Sequence, residues 1–137
     1  MSVDGVEVLE FRKIANPKGN LTAIEGGRDV PFDIKRVFYL YDVPGGEDRG
    51  GHAHRALEQV IIAASGSFDI VVEDATTERR FFLNRSYFGL YVPPMTWAHL
   101  ENFSSGSVGL VLASAYYDEA DYYRDHDEYL QVAKGEG

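Results

Sequence analysis

Cysteine is absent from the 137-residue sequence. Its absence excludes disulfide bonds, a catalytic thiolate and zinc sites with cysteine ligands. Apolar runs are short as well, and none approaches the roughly 18 residues that a membrane-spanning helix requires. The first residues, MSVDGVEVLEFRK, include two early acids and no long apolar core, so the sequence predicts no secretory signal. We therefore expect a cytoplasmic protein.

Basic residues are scarce relative to acidic ones. Thirteen Lys and Arg stand against 22 Asp and Glu, which gives a net charge of −9 with neutral histidines. Such an excess opposes long-range attraction to nucleic acids and to anionic membranes, so we expect neither as a partner. An anionic small molecule is still compatible with the sequence if a few arginines are gathered in one place.

Aromatic residues, by contrast, are abundant. They make up 13% of the chain, with nine Tyr and eight Phe, and such residues are enriched in β-strands. The hydrophobic fraction of 45% is that of an ordinary globular protein. The length then predicts a single domain over residues 1–137, large enough for one hydrophobic core.

Short apolar runs separated by turn residues follow each other along most of the chain. The predicted strands are 6–11, 21–24, 34–43, 58–64, 67–72, 79–83, 89–92, 99–103 and 108–115. Ser65 and Gly66 predict a tight hairpin and residues 74–77 a second turn. Pro93 ends the strand before it, because proline cannot donate a ladder hydrogen bond. Many short strands predict a β-sandwich or a small barrel.

The pattern changes after Tyr117. Asp118 can cap a helix, and the acids that follow it favour a helix N-terminus. Apolar and aromatic side chains then recur at three- and four-residue steps, at Tyr122, Tyr123, His126, Tyr129 and Leu130. This spacing predicts a short C-terminal helix that packs across the sheets.

Residues 46–66, GEDRGGHAHRALEQVIIAASG, carry the strongest chemical signal. Side chains two apart in a strand share a face, so His52 and His54 are predicted to project together. Neighbouring imidazoles can bind a metal or transfer protons, since an unperturbed histidine titrates near ~6.5. Two ordinary histidines on a sheet surface are the alternative.

The spacing of this segment resembles the first motif of the cupin superfamily: a glycine, five residues, His-x-His, an acid or amide, and a later glycine. Pro94 followed by His99 resembles the second motif. The resemblance implies an all-β fold, a cupin-like jelly-roll β-barrel, to which the helical pattern adds a short C-terminal α-helix. In metal-binding cupins the two histidines, a glutamate and the second-motif histidine form the ligand set.

The glutamate of that ligand set is missing here. An alignment on Gly66 brings Gln59 to its position and leaves Glu58 one step out of phase. Glutamine is a poor partner for a divalent metal beside imidazoles. We therefore predict no metal and no other cofactor, and we count Gln59 among the substrate-binding residues.

A narrower resemblance covers nearly the whole chain. The segments RVFYLYDVP, RGGHAHRALEQV, GLYVPPMTW, ENFS and LVLASAYYDEADYYRDHDEYL, in this order, resemble the dTDP-4-keto-6-deoxyhexose 3,4-ketoisomerase family. The resemblance implies a metal-free isomerase that converts dTDP-4-keto-6-deoxy-D-glucose to a dTDP-3-keto-6-deoxyhexose in deoxyamino-sugar biosynthesis. It also implies a homodimer with exchanged N-terminal strands.

The reaction itself asks for acid–base groups. Moving a carbonyl from C4 to C3 requires removal of the C3 proton and protonation at C4, through an enediolate. A base of moderate pKa and donors at the developing oxyanion are sufficient. The family's His-Ala-His implies His54 as the base and His52 as its partner or a second proton shuttle.

Two tyrosines precede this motif. Tyr39 and Tyr41 alternate with Phe38 and Leu40, so the two phenols are predicted to share one face. We expect them to hydrogen-bond to the sugar oxygens, with Tyr41 also relaying a proton. Aromatic lining of the barrel is the alternative.

Arg49 is the first candidate to bind the diphosphate, because a guanidinium is always charged and bonds in a bidentate manner. Arg36 and Arg55 are alternatives for the same task. Trp97 is predicted to stack on or enclose the nucleotide, with a place in the core at the barrel mouth as the alternative. His99 is a secondary candidate.

Two other functions stay open at this level. A metal-dependent cupin enzyme would use His52, His54, Glu58 and His99 as ligands. A non-catalytic cupin would bind a sugar or an effector without turning it over.

Overall fold

Residues 3–135 are described by a computed structural model in which two five-stranded antiparallel sheets face each other. The strands are β1 (Glu7–Glu10), β2 (Arg36–Leu40), β3 (Arg49–His54), β4 (Gln59–Ser65), β5 (Phe68–Glu73), β6 (Glu78–Leu83), β7 (Phe88–Val92), β8 (Trp97–Glu101), β9 (Val108–Ala113) and β10 (Tyr122–Tyr123). The helical elements are a 3₁₀ turn at Glu119–Asp121 and helix α1 at His126–Gly135. The predicted all-β, cupin-like jelly roll with a short C-terminal helix is confirmed.

The strands of the two sheets are not arranged in the order of the sequence. The first sheet runs β1-β7-β4-β9-β2 and the second runs β10-β3-β8-β5-β6. Neighbours in each sheet are mostly far apart in sequence, as in a jelly roll. No helix in residues 3–135 has the length and apolar character needed to cross a bilayer.

The main core lies between the two sheets. Alternate residues of each strand point inward, and Ile61, Phe68, Ile70, Leu90 and Leu100 are all buried there. Each such side chain contributes about 1.5–3 kcal/mol through removal from water. This core holds the two sheets at a fixed separation, which sets the size of the space left open at one end of the barrel.

The outer face of the first sheet is covered by the chain between β1 and β2. Phe11, Val30 and Phe32 of this segment pack on Val60 and Ile62. The predicted strand at 21–24 lies here and is wrong. Only one residue of it pairs, through an isolated antiparallel bridge between Leu21 and Ile14.

The outer face of the second sheet is covered by α1. Tyr129 is completely buried and packs with Trp97 and Tyr123. Its hydroxyl lies within hydrogen-bonding distance of two backbone carbonyl oxygens, 3.2 Å from that of Glu73 and 2.9 Å from that of Met95. These contacts fix the helix to the ends of β5 and β7–β8.

The predicted hairpin at Ser65 and Gly66 is wrong, because β4 and β5 belong to different sheets. The turn instead carries the chain from one sheet to the other. Gly66 has a φ of +69°, and a Cβ on it would lie 2.8 Å from the Cα of Ser107. Only glycine fits this tight crossing. The turn at 74–77 is confirmed, with the Asp74 amide donating to the Thr77 carbonyl at 3.1 Å.

The C-terminal helix begins later than the sequence predicts. Asp118 caps only the 3₁₀ turn, and β10 then pairs with β3, Tyr122 opposite His54 and Tyr123 opposite Ala53. The helix starts at His126. Pairing with a distant strand therefore overrides the helical spacing of these tyrosines, since local propensity is a weak constraint.

Candidate active site

The histidine pair lies on β3, where its two rings are in contact. Their centroids are 4.9 Å apart in an edge-to-face arrangement. Ala53, between them, faces the opposite way and packs under α1. The pairing of β3 with β8 shifts register between Arg49 and His52, and Gly50 there has a φ of +78°. The predicted common face of the two histidines is confirmed.

Tyr122 of β10 lies against both histidines. Its ring centroid is 5.0 Å from that of His52 and 4.3 Å from that of His54. The tyrosine lines two separate cavities, one with each histidine. The C-terminal segment therefore supplies a side chain at the centre of the candidate site.

The first cavity, which we call the barrel cavity, has a volume of about 210 Å³ between the two sheets. Its polar lining consists of Arg49, His52, Gln59, Tyr122 and Arg124. The rest of its wall consists of Gly50 of β3 and apolar side chains from β2, β4, β8 and β9. A few polar groups in an apolar cleft is the usual composition of a small-molecule site.

The second cavity, which we call the side cavity, has a volume of about 170 Å³. His54, Arg36, Asp121 and Tyr122 are among the residues that line it. Two buried nitrogen atoms here, Nε of Arg36 and Nδ1 of His54, have no hydrogen-bond partner of good geometry within residues 3–135. Nδ1 of His54 lies 3.3 Å from a carboxylate oxygen of Asp121.

Burial keeps both imidazoles neutral at ordinary pH. Desolvation, together with the neighbouring His54 and Arg124, lowers the pKa of His52 to about 4, against the opposing effect of Glu119. Desolvation also lowers the pKa of His54, although Asp121 acts in the opposite direction. A neutral imidazole has a free lone pair, so each ring can accept a proton.

Glu119 holds Arg124 at the edge of the barrel cavity. Arg124 donates from Nε to Glu119 at 2.6 Å and from a terminal nitrogen at 2.8 Å. Its guanidinium also lies 4.1 Å from the ring centroid of Tyr122. The hydrogen bonds from Arg124 and Tyr117 lower the pKa of Glu119 to about 2, so the ion pair persists over the working pH range.

The structure brings several predicted residues together and separates others. His52, Arg49 and Gln59 line the barrel cavity, whereas His54 and Arg36 line the side cavity. Gln59 therefore shares a cavity with His52 and not with His54, and its substrate-binding role stays a prediction.

Tyr39 and Tyr41 lie elsewhere. Their rings are 5.7 Å apart on the outer side, with exposed fractions of 59% and 62%, while Phe38 and Leu40 face the barrel cavity. The predicted alternation is therefore correct, but the phenols point away from the histidines of their own chain. Their sugar-binding role stays a prediction.

Trp97 also lies outside both cavities. It is buried under α1, with its ring centroid 4.8 Å from that of His126 and 5.6 Å from that of Tyr129. Its neighbours Ala98 and Leu100 face the barrel interior, so strand alternation turns the indole outward. This arrangement resembles the core packing weighed as an alternative, and a nucleotide contact stays a prediction.

The four residues that a metal-dependent cupin would use do not converge. Glu58 accepts a hydrogen bond from the Tyr91 hydroxyl at 2.6 Å, beside the outer cluster of the first sheet. His99 lies on the outer face of the second sheet, with Nε2 2.6 Å from a carboxylate oxygen of Glu101. These residues therefore do not fit a metal centred on the histidine pair.

One other group in the described part of the chain has metal-ligand spacing: Asp48, His99 and Glu101. Two guanidinium nitrogens of Arg80 lie 3.3 Å from a carboxylate oxygen of Glu101. That cation competes directly with a metal for the carboxylate. The group also lies on the outer face, away from both cavities.

Sequence reasoning missed the functional potential of the C-terminal segment. Glu119, Asp121, Tyr122 and Arg124 all lie at the histidines, although the sequence predicts a packing helix there. The available signal was the run YYDEADYYR, whose charges and phenols exceed what a packing helix needs.

Comparison with known proteins agrees with this fold. Residues 4–134 match the family described as FdtA: WxcM-like, C-terminal. The chain is 44% identical over 129 residues to the TDP-4-oxo-6-deoxy-α-D-glucose-3,4-oxoisomerase of Aneurinibacillus thermoaerophilus, covering 93% of each protein.

Solved structures give the same result. A mutant of the 3,4-ketoisomerase QdtA from Thermoanaerobacterium thermosaccharolyticum, in complex with TDP-4-keto-6-deoxyglucose, is 42% identical and superposes with a TM-score of 0.96, over 98% of this chain and 97% of that one. The TDP-quinovose 3,4-ketoisomerase WlaRB from Campylobacter jejuni is 43% identical with a TM-score of 0.90, over 94% and 99% of the two chains. The resemblance in the sequence is thus confirmed, and the chain belongs to the FdtA family of WxcM-like, C-terminal domains, together with the sugar 3,4-ketoisomerases.

Proposed function

We propose that this protein is a 3,4-ketoisomerase that converts dTDP-4-keto-6-deoxy-D-glucose to a dTDP-3-keto-6-deoxyhexose, acting as a single catalytic domain. The observation that carries the proposal is a contacting pair of neutral imidazoles beside an arginine-lined cavity. Relatives over 40% identical are named for this type of reaction. The aminosugar pathway implied by the sequence belongs to the same proposal.

The reaction needs a base within reach of the C3 hydrogen. His52 lines the barrel cavity, whereas His54 is only 4% exposed and lines the side cavity. This difference favours His52 for the first proton transfer and His54 as the shuttle, the reverse of the roles expected from the sequence. Deuterium exchange at C3 in His52→Asn and in His54→Asn distinguishes this assignment from the one expected from the sequence.

The atoms balance through an enediolate. The lone pair of an imidazole takes the C3 proton, the C3–H electrons form a C3–C4 double bond, and negative charge develops on O4. The O3 proton is then transferred to O4, and the imidazolium returns its proton to C4, which leaves the carbonyl at C3. Polar groups of the barrel cavity, Gln59 among them, are positioned to donate to the developing oxyanion.

Arg49 is the proposed anchor for the diphosphate. It lines the barrel cavity, and no ion pair joins it to an acid within residues 3–135. Arg55, by comparison, is engaged with Tyr123 through a hydrogen bond and a ring contact. Arg36 is the second candidate, because its guanidinium lines the side cavity.

The proposal includes a homodimer. The two edge strands of the first sheet, β1 and β2, carry exposed apolar side chains, namely Val8, Val37 and Tyr39. Within this single chain β1 pairs with its own β7, and an exchange of N-terminal strands stays a prediction. Light scattering on the purified protein measures the mass directly, and a monomeric mass would contradict the dimer.

The test of function is incubation with dTDP-4-keto-6-deoxyglucose in D₂O, followed by NMR. We expect deuterium at C3 or C4 and a new 3-keto sugar that a downstream aminotransferase traps. Binding without exchange would instead favour the non-catalytic cupin.

A further inference from the structure

The carboxylate of Asp121 is held at His54 by the backbone that follows β3. One oxygen accepts the amide hydrogen of Ala56 at 2.9 Å, and the other accepts that of Leu57 at 3.2 Å. The Arg55 amide also donates to the backbone carbonyl of Asp121 at 2.8 Å. These three hydrogen bonds come from the chain directly after His54, so the carboxylate and the imidazole share one rigid frame.

The contact with His54 uses the oxygen that Leu57 also holds. That oxygen lies 3.3 Å from Nδ1, and the His54 side chain is only 5% exposed. Nδ1 has no other polar partner in the described part of the chain. A contact of this length can tighten once substrate is bound, as catalytic hydrogen bonds often do.

We propose that Asp121 is a positioning residue that fixes the tautomer and orientation of His54 for proton transfer. An ionised carboxylate accepts hydrogen bonds and cannot donate one, so the neutral ring must carry its proton on Nδ1. Nε2 is then left with the lone pair. The same arrangement, a carboxylate beside Nδ1–H, holds the catalytic histidine of serine proteases in its productive tautomer.

Other charged groups around His54 do not substitute for this carboxylate. His52 neighbours it on β3, Arg36 approaches from β2 and Arg124 from the C-terminal segment, and the charges of the two arginines disfavour a protonated His54. Asp121 is the acidic group that acts in the opposite direction. Removal of the Asp121 charge therefore changes which nitrogen of His54 carries the proton, and it lowers the pKa of His54 further.

Asp121→Asn is the sharpest variant, because it keeps the size of the side chain. If its oxygen keeps the Ala56 amide, its NH₂ group replaces the oxygen that faces the Leu57 amide and Nδ1 of His54. The amide would donate to Nδ1, and the ring would move its proton to Nε2. We expect kcat to fall about 10- to 100-fold, by analogy with the loss of partners that orient metal-bound histidines, while KM changes by less than about twofold.

The matched control is Asp125→Asn. Asp125 also accepts two backbone amides, those of Asp127 and Glu128 at the start of α1, although it uses a single carboxylate oxygen for both. Asparagine caps helices about as well as aspartate. This variant removes the same charge four residues after Asp121 along the chain, and we expect parental kcat and parental His54 signals.

The direct readout is ¹⁵N NMR of the four histidines, with His54 assigned through the loss of its signals in His54→Asn. In the parent we expect a protonated Nδ1 and an unprotonated Nε2, and the opposite in Asp121→Asn, together with a still lower pKa. A parent with its proton on Nε2 overturns the proposal without any variant, even if Asp121→Asn fails to fold. Identical His54 signals in parent and Asp121→Asn overturn it too.

This inference rests on the proposed function only for its effect on kcat. If the parent fails to isomerise the ketosugar while His54 shows the expected tautomers, the proposed function fails and the positioning of His54 by Asp121 stands. If the parent isomerises the ketosugar and the tautomers of His54 are the same in Asp121→Asn, the proposed function stands and the positioning role of Asp121 fails.

Discussion

The two histidines of β3 are two residues apart in sequence, yet their surroundings differ. His52 borders the open barrel cavity with Arg49 and Gln59, whereas His54 is buried against the side cavity and Asp121. Strand alternation puts them on one face, and Tyr122 of the C-terminal segment packs against both rings and lines a different cavity with each. A shared motif therefore does not imply shared roles, and the neighbours of each ring decide its chemistry.

The largest effect is expected from His52→Asn. Asparagine keeps a hydrogen bond but cannot act as a base, so kcat should fall by about 10²–10⁴-fold. Deuterium exchange at C3 should disappear with it. The matched control is His99→Asn on the outer face, which should exchange normally. Normal C3 exchange in His52→Asn would reverse the assignment and return the base role to His54.

His54→Asn sharpens the comparison from the other side. As the shuttle, His54 should matter for the transfer of the O3 proton to O4, so product formation should fall about 10²-fold or more. Washout of the C3 proton should continue at a measurable rate. Loss of both exchange and product in each variant would mean that the pair acts as one unit, with no division of roles.

Arg49→Ala tests whether the barrel cavity binds the charged end of the substrate. Loss of a hydrogen-bonded charge of this type costs about 1.5–3 kcal/mol, which corresponds to a KM raised roughly 10- to 100-fold. Arg49→Lys should recover only part, because an ammonium cannot reproduce the bidentate fork. Arg80→Ala, which removes an outer-face arginine, is the control. An unchanged KM in Arg49→Ala would transfer the task to Arg36.

The pH dependence follows from the lowered pKa of His52. Its folded pKa of about 4 lies below the unfolded value of 6.5, so the unfolded chain binds more protons between these values. The free energy of unfolding should therefore decrease as the pH falls from 6.5 to about 4. Denaturant titrations at several pH values across this window give the free energy of unfolding at each pH. This free energy should change less with pH in His52→Asn than in the parent, and an equal pH dependence would contradict the burial of the ring.

The same lowered pKa predicts that activity is retained below pH 6.5. The base must be neutral, so kcat/KM of the free enzyme should fall only as the pH approaches about 4. A fall centred near ~6.5 would indicate an imidazole that is exposed and unperturbed.

The smallest effect is expected from metal removal. Gln59 faces the cavity, and Glu58 and His99 are engaged elsewhere, so chelation should leave turnover unchanged. Assays before and after treatment with a chelator, with metal content measured in parallel, give the answer. Activity lost on chelation and restored by one metal would support the metal-dependent alternative.

The sequence predicted most of the strands, and the common face of the histidine pair, because both depend on local alternation. Eight of the nine predicted strands overlap observed ones, most of them within two residues at each end, and the run at 89–92 ends before Pro93 as expected. Two observed strands were not predicted: β10 and β3, which carries the histidine pair. The hairpin at Ser65 and Gly66 failed for a different reason. A two-residue turn looks the same whether the chain pairs with its neighbour or crosses to the opposite sheet.

The C-terminal part of the site could not be predicted, because its contacts are long-range. Asp121 and Ala56 are 65 positions apart, and no local pattern reports which strand edge Tyr122 will pair with. The tyrosines also fit a helical spacing, so the sequence favoured the wrong element. Only the folded barrel makes the edge of β3 available to them.

The short length of β10 has a consequence for hydrogen exchange. Its two residues are the only strand pairing between the C-terminal segment and β3 in residues 3–135, whereas the barrel sheets have long ladders and a buried core. Segments with few ladder bonds open with a free energy well below that of global unfolding. The amides of Tyr122 and Tyr123 should then exchange before those of β4 and β9.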